Sequence, residues 1–151
     1  MHPLPHHYHA QARGGLSGSV AVTTTDAPAL DTHAPPEFGG PGGAWSPESL
    51  LVASIADCYI LSFRAVARAS KLEWAQLEVD VEGVLDRVDG VMRFARYIVR
   101  PRLSIVAAEQ ETLARAALEK AKRACLITNS LNGECELVPS VGIAEAVRAA
   151  P

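Results

Sequence analysis

Apolar and polar positions change their period several times along this chain, and each change marks an expected element. The start is mixed: residues 1–12 combine histidines, two prolines and alternating polarity, so 1–7 are expected to be flexible. Leu16 to Thr25 contains Ser19-Val20-Ala21-Val22-Thr23, a short β-prone run read as a strand. Asp26 to Trp45 is rich in Gly and Pro and reads as one long connection. At Ser46 the pattern sharpens. Ser46 is a good N-cap, Pro47 suits the first helical position and Glu48 complements the helix dipole. The helix then runs to about Ser70. Its apolar residues (Leu50, Leu51, Val52, Ile55, Tyr59, Ile60, Leu61, Phe63, Val66) lie nearly all round, which predicts burial on most faces.

From Leu77 the period falls to two: Leu77, Val79 and Val81 alternate with Glu78, Asp80 and Glu82. Asp89-Gly90 between Val88 and Val91 signals a two-residue hairpin turn. The return strand runs from Val91 to Val99 and toward Ile105, with a break or bend expected at Pro101. Glu109 to Leu126 is helical again, with Leu113, Ala117, Ala121, Ala124 and Cys125 as its apolar stripe. A last strand over Glu134 to Val138 and a short tail complete the chain. Segregated runs of this kind predict an α+β fold with antiparallel pairing, in one domain spanning 1–151.

Composition narrows the picture without naming a chemistry. With 151 residues, 48% hydrophobic, 21% charged and a net charge of -3, the chain is long enough for a real core and lacks a nucleic-acid footprint. The apolar stretch Leu50–Ala69 contains Asp57, Arg64 and Arg68, which speaks against a membrane span. The His- and Pro-rich start has no apolar core of a signal peptide, so a cytoplasmic location is expected.

Three cysteines in a reducing compartment are packing residues, metal ligands or redox thiols. Cys58, in mid-helix, fits either a packing role or a reactive one, and Asp57 beside it favours the second only slightly. Cys125, at a helix C-terminus, is opposed as a thiolate by the helix dipole and favoured by Lys120, Lys122 and Arg123 nearby. Cys135 shares a strand face with Leu137 and suits core packing. No metal site is expected: no His lies near any Cys pair, and His2, His6, His7 and His9 stand on a Pro-containing end. A Gly-x-Ser-x-Gly elbow and a phosphate loop are both missing, since Gly39-Gly40-Pro41-Gly42-Gly43 lacks the Lys-Ser/Thr ending.

Three segments, in order, resemble the OsmC/Ohr family. They are Glu37-Phe38-Gly39-Gly40-Pro41-Gly42-Gly43 leading to Ser46-Pro47-Glu48, then Ala56-Asp57-Cys58-Tyr59, then Ala124-Cys125-Leu126-Ile127-Thr128-Asn129-Ser130. The resemblance covers roughly Tyr8 to Val141. It implies an intertwined homodimer, with central helices packed against antiparallel sheets and two active sites at the interface. It also implies reduction of organic hydroperoxides without a bound cofactor. In that role Cys58 would be the peroxidatic thiol and Cys125 the resolving one, with an external dithiol, lipoyl in the Ohr branch, restoring both. Glu48 matches the family glutamate. Ten residues of helix span about 15 Å, so it would approach the partner chain's cysteine; otherwise it is a simple helix-start charge. The family's arginine has no counterpart at Leu16 or across His33-Ala34-Pro35-Pro36, which leaves Arg13 and Arg64 as substitute candidates. That departure keeps a second reading open: a non-catalytic dimer of the same fold binding a small hydrophobic ligand or a thiol partner in its cleft.

Overall fold

The computed structural model describes residues 2–144, and these divide into two compact units, one ending at Leu51 and the other beginning at Val52. In the first unit, β1 (Gln11–Gly14), β2 (Val20–Thr24) and β3 (Ala27–Thr32) form an antiparallel sheet in the order β1-β2-β3. Only β2 matches the expected strand. β1 lies between the expected flexible start and that strand, where no element was expected, and β3 lay inside the expected connection. Both are poor strand sequences, mostly exposed, whose extended form is fixed by pairing with β2 (Arg13 opposite Ala21, Asp31 opposite Ala21 on the other side). A single 3-10 turn, Pro36–Phe38, follows and closes on Gly39, whose φ of 78° suits a residue without a Cβ.

Helix α1 (Pro47–Ser70) begins where the sequence placed it. Ser46 Oγ accepts the Ser49 N–H at 3.2 Å, and Ser49 Oγ accepts the Ser46 N–H at 2.8 Å, a capping box with serine in the usual glutamate position. Burial on most faces is not met within one chain. Ile55, Tyr59, Phe63, Val66 and Ala67 form a single buried stripe, while Leu61 is 52% exposed. By length and apolar composition α1 is also the one helix among the described residues that could cross a membrane. Its stripe is nevertheless engaged inside the second unit: Phe63 meets Trp74 edge to face with centroids 5.3 Å apart.

The second unit is built on the hairpin of β4 (Trp74–Val88) and β5 (Val91–Ile105). Asp89 and Gly90 both take positive φ (52° and 82°), the conformation the Asp-Gly signal requires. The expected break at Pro101 is absent. Pro101 pairs with Val79 within a continuous strand, and the register shifts fall instead at Trp74/Gln76 and Val84/Leu85. On its other edge β5 pairs first with β6 (Glu134–Leu137, opposite Arg96 to Val99) and then with β7 (Ser140–Ile143, opposite Arg102 to Ile105). Pro101 sits in the gap between these two segments, where no strand asks for its missing N–H. Both short strands run parallel to β5, which corrects the expectation of purely antiparallel pairing; β7 also occupies part of the expected tail.

Helix α2 (Glu111–Ala124), preceded by a 3-10 turn over Ala108–Gln110, packs on β5 and β7. Its buried residues are Ala114, Ala117, Leu118 and Ala121, so the stripe is rotated from the expected one: Leu113 is 37% exposed and Ala124 lies outside. Cys125 caps α2 and leads into the short α3 (Leu126–Asn129). The fold is thus a mixed α+β arrangement of two sheets and three α-helices among the described residues.

Candidate functional site

Cys58 and Cys125, distant in sequence, are brought near enough for Cys58 to act on the Cys125 thiol, and both are free thiols. Two local causes produce this. Cys58 stands mid-way along α1, next to the buried stripe, and is half-buried. Cys125 ends α2 with its backbone turned to extended values (φ -70°, ψ 109°), so the helix stops there and its side chain is fully buried. Burial pushes the Cys125 thiol pKa up, and its hydrogen bond with Cys58 adds to that. The hydroxyl and amide of Thr128 pull the other way, because both favour a thiolate. The Thr128 hydroxyl donates to the Cys125 carbonyl at 3.1 Å, which ties the start of α3 to the cysteine.

Around the thiol pair the helices are joined by polar bonds. The Tyr59 hydroxyl donates to the Leu118 carbonyl at 2.9 Å in a fully buried setting. Desolvation, aided by Glu119 and by the thiols of Cys125 and Cys135, pushes the Tyr59 phenol far up, so it remains a donor across the working pH range. One turn further along α1, Ser62 Oγ donates to the Ala124 carbonyl at 3.5 Å. Nothing in the sequence pattern set Tyr59 apart from the other apolar residues of its helix.

The remaining residues singled out by sequence are placed less closely. Cys135 is half-buried on β6, opposite Tyr97 and on the same face as Leu137; burial raises its thiol pKa, while the Lys122 ammonium lowers it. Glu48 belongs to the first unit, in the first turn of α1. One carboxylate oxygen, Oε2, is buried and has no hydrogen-bond partner. Glu48 also borders an apolar cavity of about 480 Å³ whose lining includes Val20, Val22, His33, Phe38 and Leu50. Arg13 on β1 and Arg64 on α1 are both exposed, and neither forms an ion pair or hydrogen bond among the described residues. No cluster of three or more His, Cys, Asp or Glu suited to a metal occurs among the described residues.

A disulfide needs two sulfurs that can close to about 2.0 Å without moving the backbone far. Of the three cysteines, Cys58 and Cys125 are the pair whose thiols act directly on one another.

Comparison with known proteins bears on the family and the fold. The family model described as OsmC-like protein matches residues 40–139, which contain both cysteines. The chain is 27% identical over 136 residues to the Bacillus subtilis protein YmaD, described as uncharacterized, covering 87% of this chain and 91% of that one. It is 28% identical over 131 residues to an organic hydroperoxide resistance protein of Xanthomonas axonopodis pv. citri, covering 85% and 89%. Among solved structures, an organic hydroperoxide resistance protein OsmC from Legionella pneumophila superposes with a TM-score of 0.74 at 26% identity, covering 93% of this chain and 100% of that one.

Proposed function

Because this chain belongs to the OsmC-like protein family, with organic hydroperoxide resistance proteins among its relatives, we propose that it is a two-cysteine reductase of organic hydroperoxides. The observation that carries the reading is the nearness of two free thiols at separate helices, one half-open and one buried, the first of which acts on the second. The Cys58 thiolate attacks the terminal peroxide oxygen; the O–O bond breaks, an alcohol leaves after taking a proton, and Cys58 becomes a sulfenic acid. The Cys125 sulfur then attacks the sulfenic sulfur and expels water, forming the disulfide. An external dithiol, such as a lipoyl group, takes the oxidising equivalents and restores both thiols. No bound cofactor is needed for this cycle.

The reading places the chain in the cytoplasm as a homodimer. The exposed Leu61 on α1 and the apolar cavity of the first unit offer surfaces for a second copy to cover. Glu48 then serves the partner chain's cysteine, and its unpartnered buried oxygen is a ready acceptor for a donor brought by assembly or substrate.

The direct test mixes reduced protein with an organic hydroperoxide and excess dithiol and follows peroxide loss. Wild type is expected to turn over and Cys58→Ser to be inactive, whereas equal peroxide consumption by the two would refute the assignment. One observation favours a second reading, in which the same fold binds a hydrophobic ligand or thiol partner without catalysis: neither Arg13 nor Arg64 is engaged near the thiols. Absence of peroxide loss in wild type selects that reading.

A further inference from the structure

We infer that Tyr59 is a positioning residue whose hydroxyl fixes the register of α1 against α2, and with it the alignment of Cys58 and Cys125 for disulfide closure. The inference rests on the two-thiol reading of the site but not on the identity of the oxidant.

Tyr59 follows Cys58 directly, and it is 1% exposed. Its hydroxyl reaches the carbonyl of Leu118, seven residues (two helical turns) before Cys125, at 2.9 Å. Ser62, one turn further along α1, reaches the carbonyl of Ala124, the residue preceding Cys125. The two bonds join the same pair of helices just beside the thiols, after Cys58 on α1 and before Cys125 on α2. The apolar members of the stripe, Ile55 and Phe63, are fully buried but cannot set a register, because apolar attraction has no direction. A buried hydrogen bond does have direction, and losing its alignment leaves a polar group unsatisfied. Phenylalanine would fill this position with no hydroxyl to satisfy. The hydroxyl therefore adds a constraint that packing alone does not need. Its proton goes to the Leu118 carbonyl, which gives it no role in proton transfer at the thiols.

The consequence concerns closure rather than the first chemical step. Displacement of a reacting group by about 1 Å can cost about 100-fold in rate, and sulfur–sulfur bonding is similarly demanding in geometry. Loosening the α1–α2 register should therefore weaken disulfide formation while leaving the exposure of Cys58 unchanged.

The test equilibrates the full chain with the reduced and oxidised dithiothreitol couple and measures the effective concentration of the Cys58–Cys125 pair, with peptide mapping to identify the bond. Tyr59→Phe is expected to lower that effective concentration about tenfold, with an unchanged rate of Cys58 alkylation in the reduced protein. An effective concentration equal to that of wild type would overturn the inference, as would failure of wild type to form this disulfide at all. If Tyr59→Phe does not fold, Ser62→Ala carries the test, with a smaller decrease expected and an unchanged value counting against it. Peroxide turnover by wild type is measured separately. A fall in effective concentration without peroxide turnover would sink the reductase reading and leave the positioning role of Tyr59 standing.

Discussion

The two compact units differ in what they bury. Every buried apolar residue of the described chain lies between Ile55 and Cys125, in the second unit, whereas the buried residues of the first are the polar Thr32 and Ser46. Thr32 donates to the Val20 carbonyl at 3.2 Å, and Ser46 caps α1. The first unit is thus held by strand pairing, turns and caps, and the second by a core of Tyr59, Phe63, Leu103, Leu118 and their neighbours. The difference teaches that a three-stranded sheet with an uncovered apolar face draws little stability from burial on its own. It also explains why the thiol pair, which needs fixed geometry, is housed in the second unit.

Removing a core side chain should separate the two units most strongly. Phe63→Ala is expected to cost about 3–5 kcal/mol in denaturant unfolding, against less than about 1 kcal/mol for Val22→Ala in the first sheet. A larger loss for Val22→Ala that grows as the protein is diluted would show that a second copy covers that sheet.

A second effect should come from pH, and it should belong to the second unit. Burial raises the pKa of Tyr59 and Cys125, so the folded chain keeps protons that the unfolded chain releases. Their contribution to stability is complete below the ordinary thiol value of about 8.5, and it is lost as pH rises through that value toward the folded ones. Thermal melts of reduced protein should fall steadily above about pH 8.5. Cys125→Ala should flatten the first part of that fall, and an unchanged slope would show that Cys125 ionises freely in the fold. A modest effect is expected at the first unit's boundary, where Ser46→Ala removes one cap and should cost about 1 kcal/mol. A loss several times larger would mean that the Ser46–Ser49 box holds more than the end of one helix.

Much of α1 and of the long hairpin was legible from sequence because their signals are local and strong. The Ser46-Pro47 start, the Asp89-Gly90 turn and the alternation after Leu77 each fix backbone geometry through residues close in sequence, and each appears where expected. β1 and β3 were not legible. Their residues carry little β signal, and their conformation comes from pairing across a gap in sequence. On α2 the expected Ala117, Ala121 and Cys125 are buried, but Leu113 and Ala124 are not, and burial goes instead to Ala114 and Leu118, because β5 and β7 choose which face is covered. Pro101 looked like a break because its missing N–H matters only where a neighbouring strand needs it.

The candidate site divides in the same way. In the sequence, the resemblance to the OsmC/Ohr family singled out Cys58, Cys125 and Glu48, while pattern by itself established an α+β chain with a capped central helix and a long hairpin. Tertiary structure alone decided that the two cysteines come near one another, that Cys125 is buried, that Tyr59 bonds to α2, and that Glu48 Oε2 is buried without a partner among the described residues. The physical reason is range. Caps, turns and periodicity act over a few residues and can be read along the chain, whereas contact and desolvation depend on which distant segments pack together.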